Sequence, residues 1–298
     1  ALTPAELGKW MRTFVVDDGV NLVGGCCGTT PAHLKAVVEA VRDIKPKARA
    51  PIRQPSVSSI YQSVTLRQDN SILIVGERTN TNGSKKFRDL LLAGDMDGLV
   101  DVGREQVKEG AHVLDVCVDY VGRDGVPDMD AVVSRFVKDV TVPLMLDSTE
   151  SPVIEAGLKR AGGKCIVNSV NLEDGEEKMQ KVCPLLRKYG AAVVALTIDE
   201  DPVEAMGKTA DRKLEIARRI YDLLTKKYGI PEEDILFDCL TFPVTTGNEA
   251  DRRLALETLD GIERITQAFP KCGSILGVSN VSFGLAPAAR AVLNSVFL

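Results

Sequence analysis

The sequence contains no hydrophobic run long enough to cross a lipid bilayer. Its longest strongly apolar segment extends from Ala191 to Leu196, whereas a membrane-spanning helix needs about 20 apolar residues. Aromatic residues make up only 5% of the chain, and no basic stripe with interleaved aromatic side chains occurs, so the pattern of a nucleic-acid-binding surface is missing. Lys and Arg number 37 against 42 Asp and Glu, for a net charge of −5. We therefore expect neither a membrane nor a nucleic acid as partner.

A secretory signal is also missing from the sequence. The seven cysteines are an odd number, and no basic segment followed by an apolar signal segment precedes them, so we predict a cytoplasmic protein. With 44% hydrophobic and 27% charged residues, the composition excludes disorder as the main state. The length of 298 residues allows one large domain or two modest ones. Because the chain begins at Ala1 without Met, we expect a piece of a longer protein.

Residues 1–44 show the local signals of a helix, a strand, a turn and a second helix. Thr3 and Glu6 stand at the spacing of a capping box, with Pro4 at the first helical position. A short β run, Val20–Val23, ends at two glycines, and Thr30-Pro31 opens the second helix. We interpret this region as half of a βα repeat.

The next segment is rich in proline and basic residues. From Lys45 to Ser59 it holds three prolines and four basic residues, without an acidic residue or any regular period. We predict an extended linker over residues 45–70.

Residues 71–298 have the periodicity of an α/β protein, because short apolar strands alternate with amphipathic stretches of helical spacing. Strands flanked by helices on both sides favour a parallel sheet, either open and doubly wound or closed as a (β/α)8 barrel. The length of the segment favours a (β/α)8 TIM barrel without its last βα unit. The seven predicted strands are Ile72–Glu77, Val113–Val118, Val142–Asp147, Cys165–Asn168, Ala192–Ile198, Ile235–Asp238 and Ile275–Val278.

Nearly every predicted strand ends on a polar residue. In a parallel barrel these ends meet at one mouth, where active sites are built. Helix capping explains any single one of them equally well, but it explains the whole set poorly. The predicted mouth has carboxylates, carboxamides and one Arg, without His or Lys, which suits a neutral heterocycle rich in N–H donors, such as a pterin. The candidate residues are Glu77, Asn80, Asp115, Asp147, Asn168, Asp238 and Asn280.

The motifs at these ends resemble the pterin-binding barrel of the cobalamin-dependent methionine synthases. The motifs are Gly76-Glu77-Arg78-Thr79-Asn80, Leu114-Asp115-Val116, Leu146-Asp147-Ser148-Thr149, Val167-Asn168-Ser169, Phe237-Asp238 and the run from Gly277 to Gly284. The resemblance covers 71–298, and the same barrel occurs in dihydropteroate synthases and in corrinoid iron-sulfur protein methyltransferases. It implies transfer of the N5 methyl group of 5-methyltetrahydrofolate to cob(I)alamin. It also implies that Asp147, Asn168 and Asp238 anchor the pterin and that Asn280 acts at N5, while Glu77, Asn80 and Asp115 are weaker candidates.

The N-terminal motif Gly24-Gly25-Cys26-Cys27-Gly28 resembles the end of the homocysteine-binding barrel of the same family, in which adjacent cysteines bind zinc. The resemblance implies that residues 1–44 are the C-terminal fragment of that barrel. Thiolates followed by glycine at a strand end can turn toward one metal ion, although two adjacent buried thiols remain an alternative. The family's third zinc-binding cysteine is not in this sequence, so the site is expected to be incomplete. No Asp-x-His-x-x-Gly run is present, so cobalamin is expected on a separate module. The homocysteine and cobalamin domains of the same enzyme are the expected partners in methionine biosynthesis. A dihydropteroate synthase, a corrinoid-protein methyltransferase and a non-catalytic folate-binding module remain the rival functions.

Overall fold

The computed structural model describes residues 2–50, 54–68 and 71–298, except for the side chain of Ala250. The chain divides into two compact units, residues 1–54 and residues 55–298. No helix in the described ranges is long and apolar enough to span a membrane.

The first unit is built on two helices that pack against each other, α1 (Pro4–Val16) and α2 (Pro31–Val41). The predicted capping box is confirmed, because the Glu6 amide donates to Thr3 Oγ1 at 3.3 Å and the Thr3 amide donates to Glu6 Oε2 at 2.8 Å. Pro31 starts α2 as expected, after the cap residue Thr30.

The strand predicted at Val20–Val23 is not formed, since residues 19–25 have no regular secondary structure. A strand requires a neighbouring strand to satisfy its backbone hydrogen-bonding groups. None of the described residues of this unit forms one, so the apolar run remains an irregular loop.

Residues 45–70, which we predicted as an extended linker, are divided between the two units. The Lys47 amide donates to Val15 O at 3.1 Å, so part of this range lies against α1. Farther along, β1 (Ser56–Ser58) and β2 (Ser63–Thr65) form an antiparallel hairpin. Polar and apolar residues alternate in these two short segments, as in a half-buried strand. This alternation explains why they form a hairpin where we predicted an extended linker.

The second unit contains seven parallel strands, which pair in the order of the sequence and form one curled sheet. This arrangement confirms the predicted α/β class and the sequential order of a (β/α)8 barrel. Among the described residues, the first and last of these strands do not pair with each other, so the barrel is open. The strands are β3 (Val75–Gly76), β4 (Val113–Cys117), β5 (Leu144–Asp147), β6 (Ile166–Val170), β7 (Ala192–Leu196), β8 (Ile235–Asp238) and β9 (Gly273–Ile275).

Amphipathic helices cover the convex face of the sheet, and their apolar sides form the larger core with it. Capping side chains begin several of them; Asp124, for example, accepts from the Val126 amide. The helices are α3 (Lys85–Ala93), α4 (Met96–Lys108), α5 (Gly125–Asp139), α6 (Ser151–Arg160), α7 (Glu177–Tyr189), α8 (Ala210–Asp222) and α9 (Leu254–Ala268). The last helix, α10 (Pro287–Phe297), has no buried residue and lies against residues Val278–Ser282.

A second, smaller core fills the concave side of the sheet. Side chains near the start of the strands, such as Val113 and Ile166, point inward and surround Val57 of the β1–β2 hairpin, which is completely buried. The hairpin therefore closes the bottom of the barrel, at the end opposite the mouth. The fold thus leaves the carboxyl ends of the strands as the accessible end.

Several predicted strand boundaries are wrong: β5 begins at Leu144, β6 covers Ile166–Val170 and β7 ends at Leu196, and the largest differences are in the first and last strands. The first strand is limited to Val75–Gly76, and the last covers Gly273–Ile275, not Ile275–Val278. Residues Val278–Ser282 form a 3-10 turn, in which the Asn280 amide donates to Gly277 O at 3.1 Å. A local i→i+3 hydrogen bond therefore takes the place of strand pairing at this end.

Candidate functional site

The polar residues at the strand ends lie along one edge of the curled sheet, which we call the mouth. Parallel pairing aligns Cys117 with Asp147 and Asp147 with Asn168. On the other side of β7, Asp238 pairs in register with Leu196 and with Ile275. Asp147 and Asp238 are three strand spacings apart, or ~14 Å along the sheet at about 4.8 Å per strand. The sequence-predicted residues Asp147, Asn168 and Asp238 thus all lie toward the carboxyl ends of their strands.

Asn80 joins two carboxyl groups across the mouth. Its Nδ2 donates to Asp115 Oδ2 and to Asp147 Oδ2, at 2.8 Å in each case. Its Oδ1 accepts from the backbone amides of Asn82 and Gly83 at 2.8 and 3.3 Å. Because backbone donors satisfy the carbonyl oxygen, the amide has one possible orientation, with both of its N–H groups toward the carboxyls.

A buried glutamine supports this loop from behind. Gln106, on α4, accepts from the Arg78 amide at 2.7 Å and donates to Thr79 Oγ1 at 3.3 Å, and Thr79 Oγ1 donates in turn to Asp115 O at 2.6 Å. Gly76 is required at this point, because a Cβ there would lie 2.7 Å from Gln106 Oε1.

Asp115 is 1% exposed, and its Oδ1 has no hydrogen-bond partner among the described residues. Burial, followed by the nearby charge of Asp147, raises the pKa of Asp115, and the Asn80 hydrogen bond opposes that shift. Burial also raises the pKa of Asp147. Two carboxyls joined by one amide in a low-dielectric site resist full ionisation, so the pair favours holding one proton.

Asp147 is influenced by two further charged residues. Asp119 raises its pKa, while Lys178, half-buried in the first turn of α7, lowers it. Asp119 also accepts from Ser148 Oγ at 2.9 Å and from the Thr149 amide at 3.2 Å. These bonds fix the loop that follows Asp147.

Asp238 is held by its own backbone turn. Its Oδ1 accepts from the Leu240 amide at 2.8 Å. Burial raises the pKa of Asp238 to about 6, while the Leu240 amide and the charge of Lys213 oppose the shift. Asp238 is therefore an ionised carboxylate at neutral pH, in contrast to the Asp115–Asp147 pair.

Two predicted site residues lie at the mouth but are exposed, Glu77 and Asn280. The Glu77 charge raises the pKa of Asp115. Asn280 lies in the 3-10 turn after β9, beside Gly277, where a Cβ would be 3.0 Å from Asn280 Nδ2. The structure therefore joins Asn80, Asp115 and Asp147 by direct hydrogen bonds and places Asn280 apart from them.

The strand ends predicted a mouth without lysine, but two lysines from helices influence its carboxylates. Lys178 and Lys213 come from α7 and α8, and both act on mouth carboxylates, as does the neutral Gln106 through the Asn80 loop. Reasoning limited to strand ends missed these helix residues. For Lys213 the available signal was a polar side chain at a helix position whose neighbours at helical spacing, such as Ile216 and Ala217, are apolar.

In the first unit, Cys26 and Cys27 are exposed, with their Sγ atoms 3.8 Å apart. Hydrogen bonds from Cys27 lower the pKa of the Cys26 thiol. Two sulfurs held by one tetrahedral zinc ion at ~2.3 Å would be about 3.8 Å apart, so this geometry suits a shared metal. Within the described ranges, however, no group of three or more His, Cys, Asp or Glu side chains could hold a metal ion.

Both units of the chain are similar to known proteins. The family described as homocysteine S-methyltransferase matches residues 1–41, and that described as pterin binding enzyme matches residues 76–298. The whole chain is 50% identical to the methionine synthase of Mycobacterium tuberculosis and 46% identical to that of Mycobacterium leprae. It spans 25% of the length of each of these relatives.

Solved structures of dihydropteroate synthases share the fold. One is the enzyme of Xanthomonas albilineans in complex with indole-2-carboxylic acid and 6-chloroguanine, which has a TM-score of 0.55 and 17% sequence identity to this chain. The match covers 82% of this chain and 88% of that enzyme's chain. The enzyme of Clostridium difficile has a TM-score of 0.52 at 16% identity over 75% of this chain and 84% of its own. Because the family match extends over more than half of the residues, the chain belongs to the pterin-binding enzymes.

Proposed function

We propose that the second unit binds 5-methyltetrahydrofolate by its pterin ring and supplies the N5 methyl group to cob(I)alamin, as the folate module of a methionine synthase. The observation that carries the proposal is the Asn80–Asp115–Asp147 cluster at the mouth. One protonatable buried carboxyl, one ionisable carboxyl and one oriented amide offer both donors and acceptors to a neutral ring. The similarity to methionine synthases supports the methyl-transfer chemistry over other uses of a pterin site.

The binding roles follow from the charge states of the carboxyls. Asp238 is an acceptor for ring N–H groups, and Asp147 and Asn168, adjacent in register, face the same ring from the other side of the mouth. A protonated Asp115 can donate to a ring nitrogen or carbonyl that a carboxylate would repel. This division of donors and acceptors is what recognition of a pterin requires.

Activation of the leaving group is the chemical problem in the methyl-transfer step. A methyl group on a tertiary amine is a poor electrophile until N5 gains a proton or a strong hydrogen bond. We assign this hydrogen bond to Asn280, whose amide can accept from protonated N5 or donate to neutral N5. Its exposed position after β9 leaves it accessible to a bound substrate.

The acceptor, cob(I)alamin, contributes a nucleophilic cobalt centre and is proposed to arrive on another module. The carboxylates and amides of the mouth hold the pterin in line with that approach. In the first unit, Cys26 and Cys27 would supply two zinc ligands. A zinc site for homocysteine would need further ligands from outside this chain.

The shared fold makes dihydropteroate synthesis the second candidate. That reaction needs cations for a diphosphate leaving group. The mouth offers few: Arg78 is paired with Glu109, and Lys178 lies among the carboxylates of Asp147, Asp119 and Glu173. The mouth is therefore better suited to a neutral ring than to a diphosphate.

Calorimetric titration distinguishes these functions. We expect saturable binding of 5-methyltetrahydrofolate, with loss of affinity in Asp147→Asn. The matched control Asp130→Asn, which changes a surface aspartate paired with Arg160 on the helical face, should bind as the wild type does. Turnover of a dihydropterin diphosphate with p-aminobenzoate would favour the second candidate instead.

A further inference from the structure

One lysine is completely buried behind the mouth. Lys213, on α8, is 0% exposed, and its Nζ donates to Gly207 O at 2.8 Å, to Leu240 O at 3.3 Å and to Cys239 O. In the described part of the chain, no carboxylate forms an ion pair with it within 4.0 Å. A buried ammonium requires hydrogen-bond acceptors to offset its lost hydration, and here backbone carbonyls provide them.

The structure is shaped around the aliphatic part of this side chain. A Cβ at Gly261, on α9, would lie 2.6 Å from Lys213 Cδ, and a Cβ at Gly207 would lie 3.3 Å from Lys213 Cγ. Two glycines therefore open the channel through which the lysine reaches the end of β8.

The carbonyls that Lys213 holds belong to an unusual turn. Leu240 has φ = 56°, the one non-glycine positive φ among the described residues, and a leucine is disfavoured in that left-handed conformation. The Leu240 amide donates to Asp238 Oδ1, and its carbonyl accepts from both Lys213 and Thr258 Oγ1. The turn thus connects the buried ammonium to the Asp238 carboxylate through one residue.

We propose that Lys213 is a positioning residue, whose ammonium holds the Cys239–Leu240 turn in the conformation that directs the Asp238 carboxylate into the mouth. This proposal depends on the proposed function in one respect, which is that Asp238 binds the pterin. Lys213 itself does not touch the substrate, since backbone carbonyls occupy its Nζ.

Electrostatics supports the same role. Burial lowers the pKa of Lys213 to about 8, against the opposing charges of Asp238 and Glu257, and the Lys213 charge opposes the rise in the Asp238 pKa. The three residues come from α8, β8 and α9. The neighbouring Cys239 is a neutral thiol, because burial raises its pKa to about 12. Asp199, beyond the end of β7, is neutralised by hydrogen bonds from Arg212 and Arg219. Lys213 is therefore the cation that favours ionised Asp238.

The direct test is carbon NMR titration of the Asp238 carboxyl, which requires no folate. In Lys213→Met we expect the Asp238 pKa to rise by about one unit or more, because its opposing cation is removed. Lys164→Met is the matched control, since Lys164 pairs with Asp234 at the other end of the strands, and it should leave the Asp238 pKa unchanged. An unchanged Asp238 pKa in a folded Lys213→Met protein would overturn the proposal.

If Lys213→Met does not fold, the reciprocal titration decides the matter, because the coupling between two charges is mutual. In Asp238→Asn, which preserves shape, the Lys213 ammonium followed by nitrogen NMR should lose its proton at lower pH than in the wild type. An unchanged Lys213 titration would contradict the coupling.

Folate affinity tests the turn itself. Lys213→Met should weaken 5-methyltetrahydrofolate binding by about tenfold or more. Adding Leu240→Gly should recover part of that loss, since glycine adopts a positive φ without being held there. A folded double variant with no recovery would refute the positioning of the turn. Absence of folate binding in the wild type would refute the proposed function instead. The NMR titrations, which need no folate, would still test the coupling between Lys213 and Asp238.

Discussion

The Asp147 and Asp238 side chains are surrounded by different groups, although both end parallel strands. Asp147 shares Asn80 with the buried Asp115, whereas Asp238 accepts from its own turn and faces a buried lysine. The first environment favours a shared proton and the second a carboxylate. One mouth therefore presents two kinds of carboxyl to a ligand.

Replacing either anchor by asparagine should weaken folate binding. The change turns an acceptor into a partial donor facing a ring N–H, so we expect losses of about 2–4 kcal/mol in Asp147→Asn and Asp238→Asn. Calorimetric titration measures the loss, with Asp130→Asn as the control. Unchanged affinity in both variants would remove these residues from the pterin site.

Asp238→Asn should at the same time stabilise the fold at neutral pH. The Asp238 pKa rises from 3.8 in the unfolded chain to about 6 when folded. Below the lower value both states are protonated and no penalty exists; between the two values the folded state binds more protons, so stability falls as pH rises. Above about 6 the wild type carries the full penalty, which is up to ~3 kcal/mol for a shift of roughly two units.

Urea unfolding at about pH 4 and about pH 8 measures this effect. The variant's advantage in the free energy of unfolding should be small at the lower pH and largest at the higher. An advantage that does not change with pH, or that disappears at high pH, would contradict the assigned titration of Asp238.

Substitution of Asn280 should affect the methyl-transfer rate more than folate affinity. If its hydrogen bond strengthens as N5 gains positive charge, Asn280→Ala should lower the methyl-transfer rate by about tenfold to a thousandfold, and ground-state affinity by less. A role limited to the 3-10 turn predicts lower stability with equal losses in binding and rate. Single-turnover transfer, folate affinity and the thermal midpoint, measured together, distinguish the two roles.

Among the elements, the β1–β2 hairpin is the one whose role is least evident from its composition. Its Val57 is completely buried against inward-facing strand residues such as Met145 and Leu236. We expect Val57→Ala to lower the free energy of unfolding by roughly 2 kcal/mol, because it leaves a cavity in the inner core.

Val64→Ala, at the half-buried position paired with Val57, should have a smaller effect on stability. Folate affinity should remain unchanged in both variants, because the hairpin closes the end opposite the mouth. Equal and negligible effects in urea unfolding would show that the hairpin is not part of the barrel core.

The elements show what the sequence could and could not predict. Apolar strands such as Val113–Cys117 and Ala192–Leu196 were predictable because both faces are buried and their runs are continuous. The run at Val20–Val23 is also apolar, but no strand among the described residues of its unit pairs with it, which no local pattern reveals. Register then determined that Asp147 and Asn168 are neighbours. The contributions of Gln106 and Lys213 depend on helix packing, which the strand pattern does not encode.

At the scale of the whole molecule, the two units offer different chemistry. The first unit presents the adjacent thiols of Cys26 and Cys27 and, among its described residues, no third ligand near them. We therefore expect the purified 298-residue chain to bind zinc weakly, because catalytic zinc sites use three protein ligands. Equilibrium dialysis with a competing chelator measures this affinity, with Cys26→Ser as the comparison. Tightly held stoichiometric zinc that the substitution does not weaken would contradict the ligand assignment.

The methyl transfer itself is the most direct test of the account. Purified chain, 5-methyltetrahydrofolate carrying an isotopically labelled methyl group, and reduced cobalamin are mixed for a single turnover, and the label on cobalamin is followed in time. We predict label transfer that depends on the wild-type protein, is reduced in Asp147→Asn and Asn280→Ala, and is unchanged in Asp130→Asn. Binding of the folate with no transfer of label above the protein-free rate would contradict the proposed function.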